Sequence, residues 1–197
     1  MQSVDASKAI ERRHFSFIDG LTDQAIDRTS DTCTVIKTAV ETAIAKIDGV
    51  PSRLPVLLIL DGPDLLLATG QASVQQLNLL LLNLRSLAHS TILTCSADQP
   101  LLQAASQSST MAVSPLETGS ASFLTQQAHN AHLVLSVREL ATGAARDISG
   151  VLRVTRSPCA YDDDSEITQN EPKEMEALYL VQRDGNVKVF QRGADAL

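Results

Sequence analysis

The sequence predicts an α/β fold: a mainly parallel sheet flanked by helices, closed at its C-terminal end by an antiparallel hairpin. Three observations predict it. Apolar, strand-like runs alternate with segments of helical periodicity along most of the chain. One of those runs, Val56 to Leu60, is apolar on both faces, so it requires cover on both sides, as a parallel sheet between helices receives. Near the C-terminus two alternating runs flank Arg183-Asp184-Gly185, the strongest local hairpin signal in the chain.

The elements follow in order. Phe15 to Gly20 alternates briefly and turns at Asp19-Gly20, which reads as a short strand leading into a loop. From Asp31 a helix is expected, because Val35, Ile36, Ala39, Val40, Ala43, Ile44 and Ile47 recur at helical spacing until Gly49-Val50-Pro51 stops them. After the strand at Val56 to Leu60 and the Gly62-Pro63 turn, residues 72–88 carry Val74, Leu77, Leu80, Leu81, Leu84 and Leu87, the broad apolar face of a helix lying on a sheet. A strand at Thr91 to Ser96 ends in Ser96-Ala97-Asp98, at the carboxyl edge where such folds place their sites. A short helix around residues 100–107, a Ser- and Gln-rich loop, a helix over 118–130 and a strand at 132–137 come next. Strands at Gly150 to Thr155, Ala177 to Gln182 and Asn186 to Gln191 close the chain, and no internal repeat is present. The acidic, proline-bounded stretch 157–173 lacks the central glycine of a calcium loop and reads as a solvated, disordered connection.

With 197 residues and 44% hydrophobic content, one domain with a substantial core is expected. Aromatics are only 3% and Trp is absent, so that core must be aliphatic. The balance of 16 basic against 23 acidic side chains, a formal charge of −7, excludes a globally basic surface for nucleic acid and leaves room only for a local patch. Cys33, Cys95 and Cys159 are widely spaced and outside any Cys-x-x-Cys arrangement, which fits incidental thiols in a reducing compartment. No run approaches the ~20 apolar residues of a membrane span, and residues 1–13 hold no apolar stretch like a signal peptide. The expected location is the cytosol, with the nucleus as a second possibility.

Chemistry is concentrated at one point. Pro55-Val56-Leu57-Leu58-Ile59-Leu60-Asp61 is an apolar strand ending in an acid, the arrangement that holds a carboxylate toward the metal and phosphates of a nucleotide-hydrolysing domain. The loop that would cradle those phosphates needs Gly-Lys followed by Ser or Thr, and none of the nine glycines is followed by Lys. Asp61 therefore reads as a degenerate position, a strand-end carboxylate capping local amides, with no cofactor expected. His129 and His132 are three apart but lack a third ligand nearby, and Ser96 with Asp98 has no Gly-x-Ser-x-Gly elbow to expose a nucleophile. The cations able to form a local patch are Arg138, Arg146, Arg153, Arg156, Lys188 and Arg192, each of which would ordinarily be a surface ion-pair partner. Arg146-Asp147 suits a desolvated subunit seam as well.

Several segments together resemble the sixth subunit of Elongator, the complex that supports modification of wobble uridine in transfer RNA. They are Phe17 to Thr22, Leu60 to Gly70, Ser96-Ala97-Asp98, Ser114-Pro115-Leu116-Glu117, the block Ala141 to Thr155 and the tail Asp184 to Gly193. In this order they cover nearly the whole chain; Thr142-Gly143-Ala144-Ala145-Arg146-Asp147 and the tail Asp184-Gly185-Asn186-Val187-Lys188-Val189-Phe190 are the most specific. The resemblance implies a RecA-like domain without its own phosphate loop. Its role would be that of a non-catalytic scaffold, which joins the fourth and fifth subunits in a hetero-hexameric ring that binds transfer RNA. Members of that family begin with a further strand and helix ahead of the Phe17-like strand, and this chain starts too late to contain them. A sheet shortened in that way exposes unpaired backbone groups, so the chain is expected to be poorly soluble alone and rescued by co-expression with its relatives. Two other readings stay open: a fragment of a true ATPase whose phosphate loop would lie on an amino-terminal segment absent from this chain, with Asp61 as the metal-side acid, and a recombination-related RecA relative that binds single-stranded DNA.

Overall fold

The structure is a computed structural model, and it describes residues 10, 14–20, 31–47, 55–98, 114–140, 145, 147–156 and 173–191. It is a mixed α/β protein with a parallel pair of strands and a four-stranded antiparallel sheet. The chain divides into two compact units, 1–124 and 125–197.

In the first unit Asp31 starts helix α1 (Thr32–Ile47): its carboxylate accepts the Cys33 N–H at 3.3 Å and the Thr34 hydroxyl at 2.8 Å. The helix buries Cys33 and Val40 and packs Ile36 and Ile44 against the same core, the face that the spacing predicts. Strand β1 (Leu57–Asp61) follows, then a single helical turn, α2 (Leu65–Ala68), which buries Leu66 and Leu67 and which periodicity cannot reveal at four residues. Helix α3 (Val74–Leu87) opens with a reciprocal cap: Gln76 N–H donates to Ser73 Oγ at 3.3 Å, and Ser73 N–H donates to Gln76 Oε1 at 2.9 Å. Its residues Leu77, Leu80, Leu81 and Leu84 form the centre of the core, joined by Phe123 of helix α4 (Pro115–Asn130). That helix starts three residues earlier than the sequence pattern suggests. The reason is local: Ser114 and Glu117 cap each other, with Ser114 N–H donating to Glu117 Oε2 at 2.8 Å, and Pro115 occupies the first helical position, where no N–H is needed.

Strand β2 (Ser90–Thr94) lies parallel to β1, pairing Leu57 with Ser90 through Asp61 with Thr94. Leu58, Leu60 and Leu93 pack onto the core from one side of this pair. The other side carries Leu57, Ile59 and Ile92, which are 55%, 58% and 48% exposed. Cover on both faces was the expectation for this strand; among the described residues the apolar cluster lies on one face alone. Phe15 to Gly20, expected as a short strand, has no regular secondary structure over 15–19, a turn at Gly20, and no ladder partner among the described residues. Alternation signals a strand only where a neighbouring strand can accept its hydrogen bonds.

The second unit is built on a sheet in the order β3 (Leu133–Arg138), β4 (Gly150–Arg156), β5 (Met175–Val181), β6 (Val187–Gln191), antiparallel throughout. Antiparallel pairing thus reaches well beyond the C-terminal hairpin that the sequence predicts. Only residues 139–149 join β3 to β4, too short a stretch for the helical crossover that parallel neighbours need. The β5–β6 hairpin itself forms as expected, with Gly185 at φ +80° and Gln182 N–H donating to the Asn186 carbonyl at 2.8 Å. Of the stretch 157–173, expected to be disordered, all but Lys173 lies outside the described residues, as does the helix expected around 100–107.

Gly150, buried at the start of β4, faces Tyr179 across the ladder. A Cβ at Gly150 would stand 2.5 Å from the Arg138 carbonyl oxygen and 2.8 Å from the Tyr179 ring. Because the first obstacle is backbone, Gly150→Ala should lower unfolding free energy by about 1–3 kcal/mol in denaturant titration. Gly119→Ala, on α4 with only a Val74 methyl at 3.4 Å, should instead raise it by up to about 1 kcal/mol. Equal effects at the two sites would contradict the packing described.

Candidate functional site at the strand ends

The carboxyl ends of β1 and β2 lie side by side, and Asp61, Asp64, Thr94, Cys95 and Ser96 collect there. Asp61 is exposed, and its carboxylate accepts a hydrogen bond from the Thr94 hydroxyl across the ladder. Thr94 in turn takes the Gly62 N–H on Oγ1 at 3.1 Å and on its carbonyl at 3.2 Å. Three residues on, Asp64 repeats the crossing: its Oδ2 accepts the Ser96 N–H at 3.2 Å. The sequence reading of a strand-end acid capping an amide therefore describes Asp64 rather than Asp61. The signal was present in the Asp-Gly-Pro-Asp spacing, which places a second acid on the turn immediately after the strand.

Asp64 Oδ1 is buried and has no partner of good hydrogen-bond geometry. The group it bears on is the half-buried Cys95, whose thiol is pushed up to about 12, first by burial and then by the Asp64 charge and a hydrogen bond to it. A thiol in that state is a proton-holding, poorly nucleophilic group. Cys33, also buried, has its thiol raised by burial and by Asp31. Among the described residues no three His, Cys, Asp or Glu side chains gather closely enough to hold a metal ion, and no helix is long and apolar enough to cross a membrane. His129 ends α4, and His132 lies exposed just before β3.

The predicted cations sort by sheet face. Side chains alternate along a strand, and directly paired residues share a face. Arg153 pairs with Ser136 and Glu176, so it shares a face with Arg138, two residues along β3; Lys188, paired with Leu180, is on that face too. Arg156, paired with Leu133, is on the opposite one. Arg138 meets Glu176 at 3.6 Å, an exposed ion pair. Glu176 thus neutralises part of the Arg138–Arg153 cluster, which sequence spacing alone could not foresee. Lys188, near the turn, helps hold the Asp184 carboxyl below its ordinary range, after the stronger effect of the hydrogen bonds from Asn186. Asp147 is exposed ahead of β4, and Arg146 and Arg192 lie outside the described residues.

An open groove of about 570 Å³ runs between Ser16-Phe17-Ile18 and α1, where Val35, Thr38, Ala39 and Thr42 form its wall. Thr38 and Thr42 donate their hydroxyls back to the Thr34 and Thr38 carbonyls at 2.9 and 2.8 Å. Compared with models of known protein families and with curated proteins, the chain finds no match.

The Cys95 environment fixes a pH dependence. A thiol whose folded pKa lies above its ordinary 9.0 contributes stability that is fully present below that value and is lost as pH rises toward about 12. Between pH 9 and 12 the parent's unfolding free energy should therefore fall more steeply than that of Cys95→Ala. At pH 8, peptide mapping after alkylation should find Cys95 unmodified in the folded chain and modified once denatured; rapid labelling of folded protein would refute the assignment.

Proposed function

We propose that this chain is a non-catalytic, RecA-like structural subunit of a hetero-hexameric ring of the Elongator kind, acting with the fourth and fifth subunits to support transfer RNA binding and wobble uridine modification. One observation carries the reading: the acid at the end of β1 is engaged by Thr94 from the neighbouring strand, in a sequence with no Gly-Lys to cradle phosphate. A catalytic acid of that class is kept for metal and phosphate. Here the carboxylate ties two strands together.

Outward apolar surface agrees with a part played in assembly. Leu57, Ile59 and Ile92 on the parallel pair, and Leu79 and Leu82 on α3, stand exposed on the unit that holds the core. Apolar surface of this kind, poor in charge, is what protein interfaces bury. On this reading the mechanism is geometric: the chain fixes the spacing of its neighbours, while cations around the ring make sequence-independent phosphate contacts. Within this chain the Arg138–Arg153 face is the place for such contacts, moderated by Glu176.

Co-expression with the two related subunits, followed by native mass measurement, tests the assignment. The expected result is a complex containing two copies of each chain, with the chain poorly soluble by itself. A well-behaved isolated monomer that ignores both partners would overturn it, as would magnesium-dependent ATP turnover by the purified chain. In the assembled ring, Arg153→Glu should weaken transfer RNA binding several-fold and lower the magnitude of the salt slope by about one, leaving assembly intact. Unchanged affinity and slope would remove this face from the RNA path.

A further inference from the structure

We draw no further inference here: the strongest candidate, the outward apolar stripe of Leu79 and Leu82 on helix α3, is an unpartnered helix face, and nothing in the structure shows what covers it.

Discussion

Two parallel strands cannot be joined by a tight turn, and in this protein the carboxyl ends of the pair are tied to one another by side-chain hydrogen bonds added to the backbone ladder. In this chain the closure is made twice, by Asp61 with Thr94 and by Asp64 with the Ser96 amide. Much of the first unit depends on it. Asp64 stands at the start of α2, so the residue whose carboxylate holds the end of β2 also gives its backbone carbonyl to the Leu67 and Ala68 amides of the turn that carries Leu66 and Leu67 into the core. Cys95 lies between Thr94 and Ser96, the β2-side partners of the two crossings, and burial first and the Asp64 charge next keep the proton on its thiol. The pairing places the two acids at the strand edge where α/β folds put their chemistry, and then employs both in holding that edge shut.

The antiparallel sheet is organised by a different constraint, close approach without a side chain. At Gly150 the Arg138 carbonyl and the Tyr179 ring occupy the space that any larger residue would need. A glycine inside a strand ordinarily weakens it, and here the neighbouring aromatic ring fills the vacancy. Just before it, Ser149 adds two cross-strand bonds, its N–H to the Tyr179 carbonyl at 2.8 Å and its Oγ accepting the Val181 N–H at 2.9 Å. The entry into β4 is therefore fixed in register by packing and by hydrogen bonds together.

How much of this was legible in the sequence follows from which signals are local. Helices α1 and α3 were readable because five and six large aliphatic side chains, respectively, repeat at helical spacing, and the β5–β6 hairpin because Asp184-Gly185 needs no distant partner. The start of α4 was readable in principle, since Ser114 and Glu117 form a capping pair, but its interior, with Gly119, Ser120 and Ser122, has little apolar period to point back to it. What could not be read is long-range. That Phe15 to Gly20 finds no ladder among the described residues, and that Glu176 meets Arg138 and pairs with Arg153, depend on partners the local sequence does not name. Asp61 was singled out correctly as the strand-end acid, yet the residue that occupies it, Thr94, is thirty-three positions away and belongs to no motif.

The threonines of α1 carry a consequence for how the molecule meets its surroundings. With their hydroxyls folded back onto the helix backbone, Thr38 and Thr42 spend their hydroxyl protons on carbonyls one turn upstream along the groove wall. A hydropathy scale scores these positions as full hydroxyls, whereas each has only its oxygen lone pairs left to offer water. A molecule entering this flank can therefore give a hydrogen bond to these threonines without receiving one back, a one-sided polarity that serine would keep and valine would erase.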